Sequence, residues 1–212
     1  SLLINGDKQS TLANNINGEY DATNNPTGIN ATAGSEQNDY LLELNGLRKL
    51  AGTSVSVSGT FALSHLRSAI SALGVYADNR DELSLIVPRN LEVQLLGFTE
   101  LQTVDKYGAG ATILSGELGR IYGIRVFATG VIPTNLNFEG KFAGATADKT
   151  VALLVHNRSP MIGNPTDADR RFNMGFLDEP TKDRFVLIPR QDIAFAVRYT
   201  DAICLLKGIS TV

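Results

Sequence analysis

The residues of this chain that could do acid–base, nucleophilic or metal chemistry are few and scattered. The 212-residue sequence has two histidines, His65 and His156, and one cysteine, Cys204. No His-x-x-x-His or His-Glu-x-x-His spacing occurs, so a zinc site carried on one helix is not written here. No serine sits in Gly-x-Ser-x-Gly, the strand-to-helix turn that exposes a hydrolase nucleophile. Gly108-Ala-Gly-Ala lacks the glycine spacing, the preceding apolar strand and the following Lys-Ser or Lys-Thr of a phosphate cradle, and reads as a turn. Asp167-Ala-Asp-Arg-Arg sets two carboxylates beside two guanidiniums without the ligand spacing of a calcium loop, so it reads as a self-neutralised loop or an intersubunit salt bridge. Cys204 lies between Ile203 and Leu205 and reads as a buried structural thiol. An enzyme would have to assemble its site from Asp105, Lys106, His156 and dispersed arginines. The expectation is no catalytic, cofactor-binding or metal-binding residue.

Composition narrows the class. Charged residues make up 19% of the chain and the net charge is −3, which does not suit a basic nucleic-acid glove. No run of 18 apolar residues is present to cross a membrane, and residues 1–30 lack the basic start and apolar middle of a signal peptide. The triplets Asn30-Ala-Thr and Asn157-Arg-Ser are read as chance matches to a glycosylation site. The chain opens Ser1-Leu-Leu-Ile-Asn-Gly-Asp rather than on Met, and is read as a piece of a longer protein.

The elements that must carry the surface follow from pattern. Residues 5–39 are rich in Asn, Thr, Gly and Ala and predict irregular surface chain, anchored afterwards by Leu42, Leu44, Leu47 and Leu50. Thr53–Gly59 alternates weakly, as a strand or an extended linker. Leu63, Leu66, Ile70 and Leu73 recur every three or four residues and predict a helix, with Ser58 or Thr60 as cap and Gly74 as stop. Asp78–Glu82 is a charged, solvated turn. Leu83–Val87 predicts a strand closed by Pro88, and Asn90 the cap of a short helix ending at Gly97. Lys149–His156 is a nearly continuous apolar run, the signature of a buried strand. Residues 157–183, with three prolines, predict no long regular element. Arg184–Tyr199 alternates with period two, interrupted by Pro189, and implies an edge position, a bulge or two strands. Ala202–Gly208 closes the fold as a strand. The sum is an α+β protein without a βαβ rhythm. Arg120, Arg125, Arg158, Arg170, Arg171, Arg184, Arg190 and Arg198 are spread over strands and loops, where bidentate donors suit subunit contacts.

Glycines at 97, 108, 110, 116, 119, 123 and 130 punctuate the stretch Leu95–Pro133. Its unit Gly116-Glu-Leu-Gly-Arg-Ile-Tyr-Gly-Ile-Arg-Val-Phe-Ala-Thr resembles a Gly-x-hydrophobic-Gly-Ile-x-Val pattern of tailed-bacteriophage major capsid proteins. The order of the other segments resembles that family too: Gly6-Asp7, Gly46-Leu-Arg-Lys-Leu-Ala, Ile86-Val-Pro-Arg-Asn-Leu-Glu-Val-Gln-Leu-Leu and Arg198-Tyr-Thr-Asp-Ala-Ile-Cys-Leu-Leu-Lys-Gly. The resemblance implies the tailed-phage major capsid fold, with an axial domain and part of a peripheral domain. It assigns 1–60 to a peripheral remnant and irregular loop, 61–169 to the axial domain, 170–199 to peripheral strands and 200–212 to a returning axial strand. Gln102–Ser115 would supply the axial tip. The N-terminal arm, extended loop and spine helix of the family are missing ahead of Leu2, so the chain is expected to be a C-terminal fragment.

The implied function is a structural subunit of a bacteriophage or prophage shell. It would self-assemble into pentamers and hexamers around DNA, in the virion capsid after assembly in the bacterial host cytoplasm. Its partners would be other copies of itself, with scaffolding, portal or decoration proteins, and neither specific nucleic-acid recognition nor a membrane. An encapsulin-type nanocompartment shell is the nearest alternative.

Overall fold

The computed structural model describes residues 2–5, 45–98, 117–141, 148–163, 173–179, 184–190 and 194–211. The elements are α1 (Leu2–Asn5), α2 (Leu47–Leu50), β1 (Thr53–Gly59), α3 (Leu63–Ala72), β2 (Leu83–Pro88), α4 (Arg89–Leu96), β3 (Glu117–Ile121), β4 (Ile124–Thr129), β5 (Lys149–His156), β6 (Pro160–Gly163), β7 (Asn173–Glu179), β8 (Arg184–Arg190), β9 (Ala194–Val197) and β10 (Ile203–Ser210). One six-stranded sheet runs β1-β10-β5-β2-β4-β3, and two separate ribbons pair β6 with β9 and β7 with β8.

The run Thr150–Val155 is apolar almost throughout because β5 is covered on both faces. Ala152 and Leu154 join Leu83, Leu85, Val87, Cys204 and Leu206 beneath α3 and α4, which contribute Leu66, Ala69, Leu91 and Leu95, with Leu73 following α3. Leu153 and Val155 face the other way, with Ile203, Leu47, Phe195 and Val197. Val151 packs with Ile132 and Leu136. Successive residues of a strand point to opposite faces, so covering both removes the polar alternation. β1 keeps that alternation because only one of its faces is covered: Ser54, Ser56 and Ser58 are exposed, while Val55 and Val57 join the helical-side core. It pairs parallel with β10, so Thr53–Gly59 is a strand of the main sheet rather than a linker.

Two glycines set close geometry. Tyr122 (φ 53°) and Gly123 (φ 83°) form the two-residue turn that joins β3 to β4, a hairpin needing positive φ at both central positions. Gly208 (φ 77°) sits at a break in the β10 ladder, where an added Cβ would lie 2.9 Å from the Val57 carbonyl oxygen.

Several expectations are corrected. The cap of α3 is neither Ser58 nor Thr60. The buried Phe61 holds the chain extended through Ala62, and His65 reaches back so that its Nδ1 accepts from the Ala62 N–H at 3.1 Å. Helix α4 begins one residue before Asn90, directly after Pro88, which is at once the last residue of β2 and the helix N-cap. The prolines of 157–183 predicted no long regular element, while the family resemblance implied strands over 170–199; Asn173–Glu179 form β7, paired along its whole length with β8 from Asn173↔Arg190 to Glu179↔Arg184. Cross-strand pairing overrides the weak local pattern there. Of the alternatives for Arg184–Tyr199, the run resolves into two strands, and Pro189 sits inside β8 of a two-stranded ribbon, where its missing N–H costs no central ladder bond. Leu42, Leu44, Gln102–Ser115, the Gly108 turn and the Asp167 loop lie outside the described residues.

Candidate interaction surface

The residues with chemical potential are taken up in structural contacts. His65 accepts from the N–H of Ala62, the N-cap of α3. Cys204 is fully buried in β10, and burial pushes its thiol pKa up, opposed by a hydrogen bond with Thr53. No group of three or more His, Cys, Asp or Glu among the described residues could hold a metal ion. Asp105 and Lys106 lie outside the described residues.

His156 belongs to a cluster at the root of the segment 160–199, where the chain leaves the sheet after β5. Glu82 accepts from Arg158 Nη2 at 2.6 Å, and its other oxygen lies 3.2 Å from His156 Nε2. His156 Nδ1 accepts from the Arg158 N–H at 3.4 Å, which leaves Nε2 as the donor toward Glu82. The returning chain is stitched to the outgoing one: the Arg198 N–H donates to the Ser159 carbonyl at 2.8 Å, and the buried Ser159 hydroxyl donates to the Tyr199 carbonyl at 2.6 Å. Above this, the ring of Tyr76 packs on Tyr199 at 5.6 Å and edge-on to His156 at 6.1 Å. The Arg198 guanidinium lies 5.0 Å from the centre of the Tyr199 ring. The cluster fixes where the inserted segment leaves and re-enters the sheet.

A second polar node sits on the opposite face. Arg48, 4% exposed, donates from Nη1 to Asn5 Oδ1 and from Nη2 to the Gly140 carbonyl, each at 2.8 Å. Asn5 donates in turn to the Val131 carbonyl at 2.7 Å. Three segments distant in sequence are thereby joined.

The charged turn Asp78–Glu82 is more structured than expected, since Asp81 pairs with Arg120 at 2.8 Å and Glu82 with Arg158. Arg120 and Arg158 therefore make contacts within the chain. Arg170 and Arg171, with the side chains of Arg184 and Arg190, are outside the described part. Exposed apolar side chains mark the remaining surface: Val93 and Leu96 on the outer side of α4, Val75 after α3, and Met161 and Ile162 on the β6–β9 ribbon. Neither Glu82 nor Arg48 stood out in sequence. Arg158 and Glu82 are 76 positions apart, and no local signal marks such a pair.

This arrangement is a two-sided α+β sheet with two strand ribbons inserted between its last two sequential strands. No family model matches the chain, and no curated protein matches it. Solved structures share the fold. The holo-SrpI encapsulin complex from Synechococcus elongatus PCC 7942 matches with a TM-score of 0.54 at 14% identity, over 79% of this chain and 57% of that one. The capsid structure of the cyanophage P-SCSP1u matches with a TM-score of 0.50 at 14% identity, over 76% of this chain and 54% of that one. The chain thus has a fold found in phage capsids and encapsulins, and it spans little more than half the length of these two solved chains.

Proposed function

We propose that this chain is a shell subunit of the tailed-phage major capsid type, acting through self-association rather than catalysis. The observation that carries the reading is the fold shared with one capsid and one encapsulin at TM-scores of 0.50 and 0.54. Residues 61–169 and 200–212, with β1 at the edge of their sheet, form the axial part. Residues 170–199 form the peripheral strands. Copies close into pentamers and hexamers, because a head-to-tail contact whose rotation closes gives a ring. The shell encloses DNA and is the virion capsid, assembled in the host cytoplasm with scaffolding, portal or decoration proteins as partners. The ion-paired root at Glu82 is consistent with this reading, since it ties the start and the end of the inserted segment to the sheet.

The encapsulin match, with the higher of the two TM-scores, favours a nanocompartment shell as the second reading. Particles purified from cells expressing the chain separate the two. Nuclease-protected DNA inside them supports the capsid, and a co-purifying protein cargo supports the nanocompartment. A chain that forms no ring or particle by electron microscopy at any concentration overturns both.

A further inference from the structure

Two arginines on the helical side differ from their ion-paired neighbours. Arg120 and Arg158 meet carboxylates at 2.8 and 2.6 Å, whereas Arg67 and Arg80 have no carboxylate partner among the described residues. Both line one open cavity of about 440 Å³, completed by Ile70, Ser71 and Tyr122. Arg67, Ile70 and Ser71 fall on one face of α3 at three- and four-residue spacing. Arg80 comes from the charged turn, and its Nη1 donates to the Tyr122 carbonyl at 3.5 Å. Tyr122 is held by the tight β3–β4 turn. The wall is therefore built from three fixed elements, and it sets two arginine side chains beside an apolar surface.

Two guanidinium forks next to Ile70 and a tyrosine ring suit a carboxylate flanked by an apolar side chain. The cavity falls within the roughly 300–1,000 Å³ usual for binding pockets, so it takes a short peptide segment. A net charge of −3 works against a polyanion such as nucleic acid accumulating at this surface. The chain itself carries the complementary chemistry. Between Lys8 and Arg48 its sequence holds Glu19, Asp21, Glu36, Asp39 and Glu43 and no lysine or arginine, with Tyr20, Tyr40 and Leu42 beside the acids. We infer that the cavity bounded by Arg67, Ile70, Ser71, Arg80 and Tyr122 receives a carboxylate-bearing segment of a second copy of this chain. The inference rests on the shell reading, in which copies meet side by side.

The test is photo-cross-linking from the cavity in the full chain. Cys204 is buried, so Ser71→Cys supplies one accessible thiol for a benzophenone maleimide. An equal mixture of ¹⁴N- and ¹⁵N-labelled chains is illuminated, and cross-linked peptides are read by mass spectrometry. Light scattering on the same sample reports self-association. The expected result is mixed-isotope cross-links whose yield falls at least about tenfold when Arg67→Glu and Arg80→Glu are added. Cross-links confined to one isotope, mixed cross-links insensitive to the charge reversal, or none at all in a chain that does assemble overturn this inference alone. A chain that stays monomeric overturns it together with the shell reading.

Discussion

The six-stranded sheet and the strands inserted between β5 and β10 are built on different principles. In the sheet, β5 is buried on both faces, with Leu153 and Leu154 wholly inaccessible. In the insertion, the strands pair only two by two, and β6 exposes Met161 and Ile162. An isolated two-stranded ribbon is marginal in water. The insertion therefore depends on its root, where Glu82, His156, Ser159 and Tyr199 tie it down, and on Phe195 and Val197, which pack against the sheet. Apolar burial holds the sheet; the insertion relies on polar contacts at its root as well as on the packing of Phe195 and Val197.

Leu154→Ala attacks the sheet where it is most enclosed and should lower unfolding free energy by about 2–5 kcal/mol. Ile162→Ala on the ribbon should stay within about 0.5 kcal/mol. Denaturant titration of the two variants reads the contrast directly, and equal losses would remove it. Arg48→Leu strands the acceptors on Asn5 and Gly140 and should cost about 1–3 kcal/mol in the same assay.

At the root the effect is smaller and local. Glu82→Gln replaces a partly exposed carboxylate, so solvent screening limits the loss to about 0.5 kcal/mol. Its signature is faster amide exchange at Ser159 and Arg198, with exchange in β5 and β10 unchanged. Protection lost evenly over both regions would mean that they are not separate units.

Cys204 gives the smallest expected change. Burial keeps its thiol protonated to higher pH than in the unfolded chain. Above the unfolded thiol's pKa of about 8.5 the unfolded state binds fewer protons than the native state, so this contribution is present below that pH and declines as pH rises. Cys204→Val should flatten the fall in stability above about pH 8.5, read by denaturant titration at several pH values.

The sheet was largely legible in sequence, because double-sided burial writes itself as an apolar run in Lys149–His156 and helical spacing marks Leu63–Leu73. The root was not. Glu82, Arg158 and Tyr199 meet only through tertiary folding, and a charged turn reads the same whether solvated or paired. The caps failed for a related reason: Phe61 is drawn into the core, which moves the start of α3 past both hydroxyl candidates. The local pattern did not show β7, whose register comes from β8 rather than from its own residues; only the family resemblance implied strands there.

The central claim is that this two-part body is made to associate with copies of itself. Molar mass by light scattering across a concentration series tests it most directly. The account predicts a rise from the single chain to a closed multiple of five or six, weakened by salt if the arginine cavity contributes. A single-chain mass at every concentration contradicts it.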